Sequence, residues 1–270
     1  MKSETNYDKL KKLALSSGIS AFGSGYIDDL KTHFDALPLE QTDGLSYGIS
    51  IAARVSDSVL HGITTGPTRH YLHHYKMLNL LLDQTALKLS LYIQETGYRA
   101  LPIPASQIID WEKQTAHLSH KMIALRAGIG WIGRNNLLVH PEFGSKIRLA
   151  TVLTDMPLTT DKPVETNPPS STFEKIPPLP PFDKGGLPAS GGAKGDQGLG
   201  GIYKGKTGEF PEAQDCGTCR KCIDACPVSA IKETHKQWDK SACLEKLKYF
   251  AKAYNVGQYI CGLCVKVCRP

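Results

Sequence analysis

The sequence predicts a mixed α/β (α+β) N-terminal domain followed by a small C-terminal cysteine-rich metal module. Three observations carry that reading. Strand-like and helix-like hydrophobic patterns alternate over residues 1–158, as in a layered domain with both element types. All eight cysteines of the 270-residue chain fall after residue 215. Residues 163–205 hold eight of the 17 prolines and nine of the 25 glycines without periodicity, which separates the two parts.

The elements follow in order. Asn6 can cap a helix that turns Leu10, Leu13 and Ala14 inward and that Gly18 ends. A short apolar stretch covers Ile19–Phe22, and Tyr47–Val55, rich in β-branched and small residues, reads as a strand. The longest helical pattern runs from His70 to Thr96, with Leu78, Leu81, Leu82 and Leu89 in helical register and Gly97 as its stop. Tyr98–Ile103 reads as a short strand halted by Pro102 and Pro104, and His117–Ala127 as a further helix. Leu137–Val139 and Ile147–Thr154 are the last strand candidates. The expected division is 1–158, a Pro/Gly-rich flexible linker or insertion over 159–211, and 212–270.

Composition excludes several classes. No run of about 18 apolar residues is present, so no transmembrane helix is expected. The polar opening MKSETNYDKLKKLALSSG lacks the apolar core of a signal peptide. Cysteines clustered at one end suit metal binding rather than a disulfide scaffold, and a cytoplasmic metalloprotein is expected. From Cys216 onward there are ten Lys/Arg and four Asp/Glu, a net of +6 that equals the charge of the whole chain. This excess can balance anionic clusters or attract an acidic redox partner or a nucleic acid; it also fits a solvated helix face with Lys246, Lys248 and Lys252.

The first cysteine run, Cys216, Cys219, Cys222, Cys226 and then Pro227, is C-x2-C-x2-C-x3-C-P, the spacing of bacterial two-cluster ferredoxins. In that arrangement the fourth cysteine points away, toward the other cluster. The second group, Cys261, Cys264 and Cys268, lacks one ligand, which Cys243 supplies from 18 residues upstream. Two [4Fe–4S] clusters then use every thiol: Cys216, Cys219, Cys222 and Cys268 in one, Cys226, Cys243, Cys261 and Cys264 in the other. Zinc pairs also use C-x2-C, but have no need of the longer run. A two-cluster ferredoxin-like module performing electron transfer is the resulting expectation.

Gly128-Ile129-Gly130-Trp131-Ile132-Gly133 spells a dinucleotide fingerprint. The fingerprint requires a strand before it and a helix after it, and here the order is reversed. The glycines therefore mark a tight helix-to-strand turn, either packed internally or pressed against a flat cofactor or substrate, with Trp131, Arg134 and Asn135 beside it.

Taken together, Ser119-His120-Lys121, the stretch Ala127–Asn135, Pro141-Glu142-Phe143-Gly144-Ser145, Arg148–Thr154 and the cysteine module resemble epoxyqueuosine reductase-type iron–sulfur proteins. The resemblance covers most of the chain outside 163–205. It implies a cobalamin-binding α/β domain joined to the two-cluster module, with Gly128, Gly130, Trp131, Gly133, Arg134 and Asn135 lining a corrinoid or substrate cleft. The implied chemistry is queuosine biosynthesis on tRNA, with a ferredoxin or flavodoxin as electron donor and no membrane partner. Two departures stand out. Where the family carries an Asp-Thr-Gly/Ala-Pro segment with a proton-donating Asp, this chain has Gln114-Thr115-Ala116-His117, leaving Asp110, His117 or His120 as substitutes; His120 and Asp110 are the catalytic candidates. The chain also ends at Arg269-Pro270, as a short branch without the helical-repeat extension would. The readings carried forward are an oxidoreductase reducing a substrate or corrinoid, a non-catalytic electron-transfer or corrinoid-reactivating protein, and a true tRNA epoxyqueuosine reductase. His70, His73 and His74 are a further ligand candidate, set against an ordinary exposed helix start.

Overall fold

Helix α1 (Asn6–Ser16) begins at its expected cap residue, and the cap itself lies one residue earlier. Thr5 is the N-cap, and its side chain and that of Asp8 close a reciprocal capping box. Asn6 in that role would place Lys9 three residues on, where no acceptor could return the bond. The computed structural model describes residues 5–34, 36–110, 115–162 and 216–269; most of the Pro/Gly-rich segment, Trp111 and Gln114 lie outside them.

The other elements of the first domain are β1 (Ala21–Tyr26), α2 (Leu39–Thr42), β2 (Tyr47–Arg54), α3 (Asp57–His61), α4 (Arg69–Glu95), β3 (Ala100–Ile103), α5 (His120–Arg126), β4 (Trp131–Ile132), β5 (Leu138–Val139) and β6 (Ile147–Thr154). Four strands form one sheet in the order β1-β2-β6-β3, and every neighbouring pair is antiparallel. A wholly antiparallel sheet with helices on it is α+β architecture. Helix α4 spans 27 residues, about 40 Å at 1.5 Å per residue. The Thr68 side chain caps it by accepting from Tyr71 N, and Gly97 at φ +89° follows its end.

Leu82 and Leu89 of α4 are fully buried with Ile49, Ile51 and Val152 on one face of the sheet. Met122 and Ile123 of α5 bury with Ile103 and Leu153 on the other. Pro102, with no N–H to donate, sits on edge strand β3. The opposite edge is covered: Asp161 N donates to Ser24 O at 2.8 Å, while Ser24 N donates to Asp161 Oδ2 at 2.9 Å. Folded chain thus continues to Lys162, four residues past the expected boundary at 158.

The cysteine module contains α6 (Lys221–Asp224), α7 (Lys240–Ala253) and α8 (Leu263–Val267). Its Phe250, Val256, Ile260 and Leu263 join the hydrophobic core that α4 covers. Lys266 Nζ donates to the carbonyls of His61 and Ile63, at 3.3 and 2.5 Å. The module is therefore packed on α3 and α4. Among the described residues no helix is long and apolar enough to cross a membrane.

Candidate metal centre

Cys222 lies in α6, Cys243 in α7 and Cys264 in α8, so three short helices carry ligand candidates to one region. Burial pushes the Cys222 thiol up to about 12, and the thiols acting on it next are Cys268, Cys216 and Cys219. Burial likewise raises Cys243 to about 11, with Cys226 its nearest electrostatic neighbour. Cys261 rises to about 11, chiefly by burial, with Cys243 and Cys226 adding to it. Cys264 is raised well above the ordinary thiol range by burial and then by Cys261, Cys243, Cys222 and Cys226. Electrostatically, Cys226 acts on Cys243 and Cys261, and Cys268 on Cys222.

Buried thiols held protonated this way ionise when a cation takes the proton's place, which suits iron ligation. Among the described residues no three His, Cys, Asp or Glu side chains converge as a single bound ion requires. A cubane asks for a different arrangement, one thiolate on each of four separated irons. Two backbone N–H groups already point at sulfur: Ser145 N to Cys268 Sγ and Ala230 N to Cys226 Sγ, both at 3.2 Å. Such bonds favour the thiolate and tune a cluster's potential.

A cavity of about 250 Å³ is lined by Cys226, Cys243, Cys261 and Cys264 together. Its other wall belongs to the first domain, with Tyr71 and Tyr75 of α4, Asn135 and Arg148 of β6. Arg148 donates through Nε to Asn79 Oδ1 at 3.2 Å and through Nη2 to Tyr75 Oη at 2.9 Å and to Ser106 Oγ. Its guanidinium lies 4.1 Å from the centre of the Tyr75 ring. These partners are neutral, so the arginine brings a positive charge to the cavity wall.

The glycine turn has a different use from the one expected. A Cβ at Gly130 would lie 2.0 Å from Val139 O, and one at Gly128 2.4 Å from Lys162 O. At Gly133 it would meet Val139 Cγ2 at 2.6 Å, with Cys216 Sγ 3.6 Å away. The chain's own backbone and side chains fill the space in which a flat cofactor would lie. Trp131 is buried, with its indole N–H unpaired among the described residues.

Arg134 is not aimed into a cleft. Its Nη1 donates to Cys219 O at 2.6 Å, its Nη2 to Gly217 O at 2.7 Å and its Nε to Glu233 O at 2.8 Å. Buried Asn135 donates to Ser145 Oγ and accepts from Leu137 N. Gly144 completes the contact, since a Cβ there would meet Cys268 O at 2.6 Å. The turn thus fastens the first cysteine run, and the loop after β5 fastens Cys268, to the α+β domain.

His120 is equally committed. Its Nδ1 lies 2.8 Å from Thr151 Oγ1 and its Nε2 3.1 Å from Pro104 O. Burial holds its pKa down to about 4, so the ring is neutral near pH 7 and has no acidic proton to give. Asp110 is partly buried and closes a backbone bridge with Thr115. His74 Nε2 accepts from Ser56 N at 3.0 Å, which makes it a structural partner of the turn before α3. Lys121, partly buried and lowered to about 8 by desolvation, donates to Asn136 O and Oδ1.

Residues 215–269 match the family described as the 4Fe-4S double cluster binding domain. The cysteine segment binds two [4Fe–4S] clusters. The chain is 28% identical over 199 residues to an epoxyqueuosine reductase of Bacillus cereus, covering 70% of this chain and 37% of that protein. It is 24% identical over 213 residues to a tetrachloroethene reductive dehalogenase of Desulfitobacterium hafniense, covering 78% of this chain and 27% of the other. The chain thus spans well under half the length of these curated relatives. Among solved structures, a catabolic reductive dehalogenase in complex with 3-bromo-4-hydroxybenzoic acid aligns with a TM-score of 0.65 at 17% identity, over 99% of this chain and 32% of that one. The epoxyqueuosine reductase of Streptococcus thermophilus aligns at 0.55 and 18%, over 96% and 64%. At these identities the structures establish the shared fold. The chain is similar to epoxyqueuosine reductases, as its motifs predict; the likeness to dehalogenases was not legible in those motifs.

Sequence reasoning also passed over Tyr71, Tyr75 and the charge of Arg148 as parts of a site. One signal was available: two tyrosines four residues apart share a helix face, and Arg148 interrupts an otherwise apolar strand.

Proposed function

We propose that this chain is an iron–sulfur oxidoreductase that reduces a substrate at the wall between its second cysteine set and its α+β domain. The observation that carries the reading is the cavity in which Cys226, Cys243, Cys261 and Cys264 meet Tyr71, Tyr75 and Arg148. Cys216, Cys219, Cys222 and Cys268 would hold one cluster, and the four cavity cysteines the other. Bound there, the clusters supply one-electron exchange at a potential set by burial, charge and hydrogen bonds to sulfur.

The protein's own groups do the rest. Arg148 balances negative charge gathering at the cavity wall. Tyr75 Oη accepts from Arg148 and donates to Ser106 Oγ at 3.1 Å, so it can hold a proton at that atom. Asp110 is the remaining carboxylate candidate for proton donation. Two parallels support a reductive role: epoxyqueuosine reductases and reductive dehalogenases both match the chain, and one solved dehalogenase is described in terms of B12-dependent dehalogenation.

The residues Gly128–Asn135 do not fit a corrinoid, because their space is filled from within. No step is therefore assigned to cobalt. The test is EPR of dithionite-reduced protein purified anaerobically from cobalamin-supplied cells, with cobalt measured on the same sample. Two reduced-cluster signals without cobalt support the reading, and the absence of both signals overturns it. Cobalt near one per chain would instead place a corrinoid outside the glycine turn and favour corrinoid-dependent reduction, the chemistry of a queuosine enzyme or a dehalogenase.

A further inference from the structure

Each cysteine set receives an arginine from the α+β domain, but the two arginines are used differently. Arg134 donates to backbone carbonyls of the first run and so fastens it. Arg148 donates to Asn79, Tyr75 and Ser106, all neutral and all within the α+β domain. Its side chain fastens no part of the module, yet it lines the cavity with Cys226, Cys243, Cys261 and Cys264.

Charge around that cavity is one-sided. Among the described residues its wall holds two ionised cations, Arg148 of β6 and Lys246 of α7, and no carboxylate. Asp239, the cap of α7, is the acid that acts on the set, through Cys243 and after burial and Cys226. The Lys246 ammonium lies over the rings of Tyr249 and Phe250 on its own helix, 4.5 and 4.8 Å from their centres. Tyr71 joins the arginine side to the thiols. A Cβ at Gly262, in the turn from Cys261 to Cys264, would meet Tyr71 Cε1 at 2.9 Å. Burial raises the Tyr71 hydroxyl; Arg148 then lowers it, while Tyr75, Cys264 and Cys261 raise it further. The guanidinium and two of the thiols are thus within electrostatic reach of one side chain.

We propose that Arg148 sets the reduction potential of the cluster held by Cys226, Cys243, Cys261 and Cys264, favouring its reduced form. The proposal deepens the function proposed above and rests on its reading of these cysteines as one cluster site. Reduction adds one electron to the cluster, taken from the external reductant, and changes no bond or proton. The cluster therefore gains one negative charge opposite a fixed positive one, in a wall that burial keeps at low dielectric. Three neutral acceptors hold the guanidinium in place before the electron arrives, as its planar fork allows. Arg148 is a positioning residue for charge, with no part in bonding the metal.

The experiment is a redox titration of anaerobic holoprotein with dithionite, followed by EPR, with iron measured on every sample. The cavity cluster is the signal that Cys243→Ala removes, and the other cluster serves as internal reference. In Arg148→Gln the cavity cluster should become about tenfold harder to reduce, a midpoint fall of about 59 mV for a one-electron couple. The reference midpoint should stay in place, and Arg148→Lys should recover most of the fall. Lys246→Gln, which removes the other wall cation, should move the cavity midpoint less.

An unmoved cavity midpoint in Arg148→Gln would overturn the proposal, as would equal falls at both clusters or a larger fall in Lys246→Gln. Loss of iron from Arg148→Gln, or an Arg148→Lys midpoint no higher than that of Arg148→Gln, would also overturn it, in favour of packing rather than charge. Wild-type protein without a reducible signal that Cys243→Ala removes would overturn the cluster reading itself, a different failure from an unmoved potential.

Discussion

Arg134, in the turn that follows α5, donates through Nη1 to the backbone carbonyl of Cys219 at 2.6 Å. Bonds to Cys216, Gly217 and Glu233 spread the same guanidinium over four carbonyls of the cysteine module. A motif that looks like a cofactor fingerprint in sequence is thus a fastener in structure. Arg134→Ala leaves those carbonyls without their charged donor, at a cost of about 2–3 kcal/mol on the scale of charge-assisted bonds. The expected result is a lower thermal midpoint and partial loss of iron. Arg134→Lys should recover only part of both, since an ammonium cannot span the fork; full recovery would show that charge alone matters.

Gly130 should tolerate no side chain. The Cβ of Gly130→Ala would fall 2.0 Å from Val139 O, a backbone atom that cannot swing aside. Separating β4 from β5 to make room should destabilise the domain by about 3 kcal/mol or more, within the range for overpacked sites. A midpoint within a degree or two of wild type would contradict the close approach.

The division of the thiols can be tested one ligand at a time. Cys243→Ala should remove one cluster and leave the other, so that iron per chain falls by about half for a pair of four-iron sites. The surviving EPR signal should be the one that Cys219→Ala abolishes. Full loading in Cys243→Ala would disprove the assignment of that residue.

His120 provides a pH signature. Its pKa is lowered by burial from the ordinary imidazole value of 6.5 to about 4, so the unfolded state binds the extra proton first as pH falls. Its contribution is therefore complete above about pH 6.5 and is lost progressively toward pH 4, on the order of 3 kcal/mol in all. Thermal midpoints measured from pH 7 to pH 5 should drop more steeply for wild type than for His120→Asn. Equal slopes would show that the ring is not held neutral.

Much of the architecture could be read from local pattern. Ile147–Thr154 is a strand over the expected residues, and α4, running from Arg69 to Glu95, lies within one residue of its expected ends at His70 and Thr96. Both carry long, regular apolar periods with clear stops. The strand order β1-β2-β6-β3 left no such trace, because pairing between Tyr47 and Thr154 depends on contacts a hundred residues apart. The same limit hid the cavity wall, where Tyr75 and Arg148 meet cysteines from a different part of the chain. Arg134 was recognised as a donor but assigned the wrong acceptor: backbone carbonyls have no residue signature, whereas a cofactor cleft had been implied by resemblance. For His120, sequence shows a histidine beside a turn and not that Thr151 and Pro104 engage both ring nitrogens.

The most direct test of the account is the iron and acid-labile sulfide content of protein purified without oxygen. Two cubanes held by eight cysteines predict about eight irons and eight sulfides per chain. Zinc in place of iron, or iron without sulfide, would contradict it.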